Sequence, residues 1–399
     1  MKALKPERWL LLFCLCGAVS LSAQDREAQL PRLLKKAYAR FETGSIHYPL
    51  SNEHLEPGYS AGSVHIPHLG FRISAGYRVS ENFAGQISLM RPGPWMEYRD
   101  INGDGSKYSV WLTIGSASVN GRLPLNSKLS LRAEAGLAIV TRHGFGIDGQ
   151  AVMKDISYAD LLAGVALEYR LSRSWELSIN STYVPDNRNH KQPHAIFYSA
   201  GLAYRVHPLT EEKVVKNAAG KSRFPDHTIQ VGASSNIAGY GPNRFFSSKV
   251  PIFWGGQVRV KKGFVVGYQR NVFHTRRWFS LNWGLNLGYW DTQQGTGFFS
   301  AAVFPMFRFW AWRMRALDAY VQYSVAGPAL LSHRVIDGHD TGRLFTFQDL
   351  MGMGFLAGEK KNFNLEFMLG HFSNGNIFPR NAGVMMPLQL NLGYCWNSR

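Results

Sequence analysis

The sequence predicts an all-β protein: a transmembrane antiparallel β-barrel, most simply two barrels of about eight strands in tandem. Three observations carry this reading. Long segments alternate apolar residues with polar or small ones, an export signal opens the chain, and no apolar run after Val19 is long enough for a transmembrane helix.

The export signal comes first. Lys2, Lys5 and Arg8 form a basic segment, an apolar run follows from Trp9 to Val19, and small residues end it at Leu21-Ser22-Ala23. Cleavage is expected after Ala23, making Gln24 the new N-terminus. Cys14 and Cys16 leave with the signal, so Cys395 remains alone and no intramolecular disulfide can staple the mature chain. Residues 24–47 read as a periplasmic segment, with Asp25 to Phe41 as a short amphipathic helix. The remainder is rich in aromatics (Phe 25, Tyr 17, Trp 11) and carries only 18% charged residues. A soluble protein could share that composition, so the order of residues must decide.

That order has a period of two. Leu129, Leu131, Ala133, Ala135, Leu137 and Ile139 alternate with Ser130, Arg132, Glu134 and Gly136. Ala163 to Leu171, Ile196 to Tyr204, Phe279 to Tyr289 and Leu390 to Trp396 repeat the pattern. A period of two places each set on one face of a strand, and the aromatics near segment ends suit an interfacial girdle. Asn102-Gly103-Asp104-Gly105 and Leu171-Ser172-Arg173-Ser174 read as turns. A sheet in lipid cannot leave open edges, so it closes into a barrel. Arg132 with Glu134, and Glu168 with Arg170, then point inward and compensate one another, giving a polar plug and not a pore.

Two halves follow from the punctuation. Residues 48–207 form a first barrel ending in Gly201-Leu202-Ala203-Tyr204, and 227–399 a second ending in Asn391-Leu392-Gly393-Tyr394. The polar stretch 208–226 breaks all alternation and reads as a linker; the alternative is one barrel of about sixteen strands.

The chemistry-bearing segment is Gly370 to Gly375. Phe363, Leu365, Phe367 and Leu369 form an outward set, and the same parity carries His371 and Ser373 to the outer face at the strand's end. Residues i and i+2 stand about 6.5 Å apart, so a histidine base and a serine hydroxyl lie side by side, the minimum for nucleophilic acyl transfer. A polar pair that merely marks the strand's exit from the membrane is the plainer alternative.

His371-Phe372-Ser373-Asn374-Gly375, followed by Asn381-Ala382-Gly383, resembles the signature of PagL-type lipid A deacylases. Asp318-Ala319-Tyr320-Val321 with Gly327, Ser332-His333 and Phe345-Thr346-Phe347-Gln348 are also similar to that family. The resemblance runs from about Gly255 to Trp396 and leaves out the first half. It implies an eight-stranded outer-membrane barrel that hydrolyses the ester-linked 3-hydroxyacyl chain at position 3 of lipid A. Ser373 would be the nucleophile, His371 the general base, and Asn381 an oxyanion donor, with Asn374 beside it and the Gly375 backbone N–H in support. The family's triad glutamate falls at Met385 here, and a methionine cannot orient an imidazole. Glu366 is no substitute, because its parity turns it inward. In the first half the equivalent positions are Ser181 and Tyr183, which offer no base.

The net charge of +17 suits a phosphate-rich lipopolysaccharide, with Lys261, Lys262, Arg270, Arg276 and Arg277 as candidate headgroup contacts. No nucleic-acid motif is present. His227, His274, His333 and His339 lack metal-ligand spacing, and neither metal nor cofactor is expected. Self-association into a homodimer stays open. The function expected is a lipid A esterase of the cell outer membrane, and the alternative a non-catalytic barrel with a structural or envelope-binding role.

Overall fold

The computed structural model describes residues 28–220, 222–249 and 255–397. The export signal lies outside the described residues.

The first barrel is built of β1 (Ala37–His47), β2 (Leu69–Arg78), β3 (Phe83–Pro92), β4 (Lys107–Pro124), β5 (Leu129–His143), β6 (Ile156–Arg170), β7 (Trp175–Val184) and β8 (Ala195–Arg205). Each strand pairs antiparallel with its sequence neighbours, and β1 closes on β8. The second barrel repeats the plan with β9 (His227–Ser235), β10 (Val258–His274), β11 (Phe279–Thr292), β12 (Gly297–Arg313), β13 (Leu317–Leu331), β14 (Phe345–Ala357), β15 (Phe363–Ser373) and β16 (Val384–Trp396). It closes through β9 and β16. Two closed barrels, and not one of sixteen strands, are therefore present. The linker contains a short helix, α1 (Glu211–Ala218), with no buried residue.

The N-terminal reading needs correcting. Ala37 to Phe41 is not helix but the start of β1, so the first barrel begins before residue 48. Arg40 and Glu42 are buried in the lumen while Phe41 is exposed on the wall. Charged residues on the inward face had mimicked the polar side of a helix.

Outward residues are apolar and exposed: Leu137 is 60% exposed, Ile179 67% and Leu392 58%. On a soluble protein such a surface would drive aggregation; in lipid it is the matched solvent. No helix among the described residues is long and apolar enough to cross a membrane.

Inside the first barrel Glu134 accepts from Arg72, Arg132, Gln86 and Ser118, while Glu168 accepts from Arg40 and Arg132. Arg170 does not take part. It sits exposed where β6 leaves the barrel, and Arg40 fills its expected role. In the second barrel Arg308 pairs with Glu366 among Tyr320, Gln269 and Asn364, and Trp290, Phe298, Phe304, Phe372 and Met386 fill the space nearer the site.

Short turns join strands at one end of each barrel and longer segments at the other. The Asn102–Gly105 turn lies on the longer side, capping a small sheet in which Ala61–His65 and Met96–Ile101 extend β4.

Candidate active site

β15 carries His371 and Ser373 out of the wall at the end with the long loops, on the outward face as the parity required. Phe372 between them points inward and packs in the luminal apolar cluster. Register then supplies the neighbours. His371 stands directly opposite Met385 on β16 and opposite Asp349 on β14. The acid missing on one side is therefore present on the other.

His371 Nδ1 lies 3.4 Å from Asp349 Oδ2, and both residues are buried, at 1% and 8% exposure. Asp349 is fixed in turn, since the Ala326 N–H donates to its Oδ1 at 2.7 Å. Ala326 belongs to an irregularity in β13 and adopts a φ of 53°. A non-glycine residue in the left-handed region is strained, and here the bulge aims a backbone donor at a carboxylate on the next strand. Asp349 escaped the sequence reading because it lies 22 residues from His371, with no local pattern linking them. Glu366 is inside the barrel, held by Arg308 and Tyr320.

Past Ser373 the chain turns sharply, with Gly375 at φ 64° and Asn376 at φ 58°. The turn draws the serine hydroxyl toward the loop. Ser373 Oγ accepts from the Gly375 N–H at 3.1 Å and from Asn381 Nδ2 at 3.3 Å. It makes no hydrogen bond with His371, contrary to the expected contact. Asn381 is itself locked: its Oδ1 accepts from the Asn374 N–H at 2.9 Å, and its amide donates to Asn376 Oδ1 at 2.8 Å. Asn374 is fully buried and clamps the loop by donating to the carbonyls of Thr341 and Arg380. Its side chain shapes the loop, while Asn381 and Gly375 address the serine.

Gly383 closes the other side. A Cβ there would lie 3.0 Å from His371 Nε2 and 3.0 Å from the Gly255 carbonyl oxygen. Below the site, Leu369 and Met351 are buried in an apolar cluster on the outer wall, covered by Tyr323, Leu388 and Phe246.

The basic residues do not form one cradle. Lys261 and Lys262 lie near the start of β10, which runs beside the start of β16 at the site's end. Arg270, Arg276 and Arg277 lie at or beyond the opposite end of that strand, near the short turns. In the first barrel Ser181 faces Val165 and Tyr198 across the sheet, so no acid or base adjoins it there.

The family model for lipid A 3-O-deacylase (PagL) matches residues 262–394, and that for the outer membrane protein β-barrel domain matches residues 11–205. No curated protein matches the chain. Among solved structures, the outer membrane enzyme PagL is similar at 15% identity with a TM-score of 0.31, covering 42% of this chain and 97% of its own. The N-terminal β-barrel domain of Pseudomonas aeruginosa OprF is similar at 12% identity and TM-score 0.28, over 43% of this chain and 98% of its own. Ail, the attachment invasion locus protein of Yersinia pestis, is similar at 14% identity and TM-score 0.27, over 45% of this chain and 99% of its own. The two family matches divide the chain where the two barrels divide it. It is an outer-membrane protein of two eight-stranded barrels, the second of which matches the lipid A 3-O-deacylase family.

Proposed function

We propose that the second barrel hydrolyses the ester-linked 3-hydroxyacyl chain of lipid A, with Ser373 as nucleophile, His371 as general base and Asp349 as the orienting acid. One observation carries this: Asp349, His371 and Ser373 share the outer face, with the Gly375 N–H and the Asn381 amide both aimed at the serine oxygen.

In this reading Ser373 Oγ attacks the ester carbonyl carbon and His371 Nε2 takes the hydroxyl proton. The Nδ1–H side faces Asp349, which stabilises the imidazolium that forms. The carbonyl oxygen becomes an oxyanion, received by the Gly375 N–H and Asn381 Nδ2. As the tetrahedral species collapses, the sugar oxygen leaves and takes the proton from His371. Water, deprotonated by the same histidine, then releases the 3-hydroxy fatty acid from the serine. Lys261 and Lys262, at the site's end of β10, would face the phosphorylated headgroup. Met385 needs no replacement, because Asp349 does its work from the opposite strand.

The test is mass spectrometry of lipid A from cells expressing the wild type or Ser373→Ala. Loss of one 3-hydroxyacyl mass with the wild type alone is the expected result. Unchanged lipid A in both, with the protein folded in the outer membrane, would sink the esterase and favour a binding or structural role.

Gly383→Ala tests the histidine's seat. The added methyl must push the imidazole by a few tenths of an ångström, and misplacement on that scale is expected to slow hydrolysis about tenfold. Purified variants that hold their barrel fold in a heat-modifiability gel should show the loss in kcat. Unchanged turnover would mean that the ring moves freely there.

A further inference from the structure

The loop bearing Asn381 is gripped from two sides, and one grip belongs to the other barrel. From the second barrel, Asn374 Nδ2 donates to the Thr341 carbonyl and the Ala382 N–H to the Asp340 carbonyl at 3.1 Å. From the first barrel, Thr141 Oγ1 donates to the Ile377 carbonyl at 2.6 Å. Beside it, Arg380 Nη2 meets Asp155 Oδ2 at 2.9 Å.

The two contacts differ in depth: the Arg380 side chain is 59% exposed, and it is on the first barrel's side that the clamp is anchored. Thr141 lies on the outer face of β5 with Leu137 and Ile139, yet it is 3% exposed where they are 60% and 40%. The second barrel's loop covers it. Its hydroxyl also meets that of Ser157, its partner across to β6, at 3.1 Å. Asp155 is built in as well: the Gly144 N–H donates to its Oδ1 at 2.9 Å, and His143 Nδ1 lies 2.9 Å from the same oxygen.

The grip connects to the serine through a chain of three hydrogen bonds. The carbonyl of Arg380 accepts from Asn374 Nδ2, the Asn374 N–H donates to Asn381 Oδ1, and Asn381 Nδ2 donates to Ser373 Oγ. A loop with two consecutive left-handed residues has many alternative paths, and pinning only one edge would leave them open. Joining both barrels in one chain keeps the clamp at high effective concentration, whatever the dilution of the protein in the membrane.

We propose that the first barrel is the positioning partner of the second barrel's site. Thr141 and Asp155 hold residues 374–383 so that Asn381 and Gly375 stay aimed at Ser373. Thr141 and Asp155 are positioning residues and do not touch the substrate. This role rests on the hydrolase reading for its catalytic consequence, but the clamp can be read without any catalysis.

The experiment uses the full chain in detergent micelles, with Asp155→Arg, Arg380→Asp and the double exchange, and Thr141→Val as an independent second break. Two readouts are taken: amide hydrogen exchange of 374–383, and kcat and KM for release of 3-hydroxy fatty acid from lipid A. Asp155→Arg should speed exchange in that loop about tenfold and lower kcat about tenfold with little change in KM, and the double exchange should recover both. Unchanged exchange in Asp155→Arg and Thr141→Val would overturn the clamp. So would faster exchange that the double exchange fails to recover. If the wild type releases no fatty acid while the exchange pattern follows the charges, the hydrolase reading fails and the clamp stands.

Discussion

Asp349→Asn is expected to lower kcat for lipid A ester hydrolysis by about four orders of magnitude while leaving the barrel folded. The reason is directional. The Ala326 N–H donates to one carboxylate oxygen of Asp349, and the other faces His371 Nδ1. An asparagine must keep its carbonyl oxygen toward Ala326, which turns its NH2 toward the histidine. Nδ1 would then have to accept, placing the ring proton on Nε2, where the base must be free to take the serine proton. Asp349→Ala frees the tautomer but loses orientation, so it should retain more activity than the asparagine. Rates of fatty-acid release by the two purified variants check this order. An Asp349→Asn enzyme within a few fold of wild type would remove Asp349 from the mechanism and leave His371 without its acid.

Glu134→Ala is expected to destabilise the first barrel by about 3–5 kcal/mol. Glu134 is buried at 4% exposure and accepts from Arg72 through both carboxylate oxygens. It also accepts from Arg132 Nη1 at 3.1 Å and Ser118 Oγ at 2.7 Å. Removing it takes away the bidentate partner of Arg72 and one of the carboxylates on Arg132, leaving Arg72 with Glu42, 3.8 Å away, as its carboxylate inside the lumen. Replacing Arg72 as well, in Arg72→Met/Glu134→Leu, should recover part of the loss, because it removes one cation and one anion together and leaves Glu42 with Arg132. Urea unfolding in detergent, followed by tryptophan fluorescence, measures both variants. A single variant within about 1 kcal/mol of wild type would mean that the lumen admits enough water to solvate the arginines.

The two predictions mark different depths of legibility. Glu134 could be placed inside from the alternation of Leu131, Ala133 and Ala135 around it, because strand parity is a local property. Its partner Arg72 could not, since it comes from a strand 62 residues away. Arg170 shows the limit of parity: it has the inward phase but sits past the point where β6 leaves the barrel. Phase tells which face a residue takes, and only strand length and tilt tell whether the barrel is still there. Arg40 and Glu42 show the converse failure. Their segment contains too few large apolar residues for its period to be seen, although it closes the barrel against β8.

By itself the sequence determined the barrel class, the division into two halves, and the outward placement of His371 and Ser373. Those depend on periods and spacings within a dozen residues. Tertiary structure decided what stands beside the imidazole. A strand has two neighbours, and register alone chose Asp349 from one and Met385 from the other; a slip of one residue would have turned Asp349 into the lumen. Register is set by closure of the whole sheet and by irregularities such as the one at Ala326, so no local pattern announces it. The same holds for Thr141, which lies 236 residues from Ile377 and meets it only because two closed barrels stand side by side.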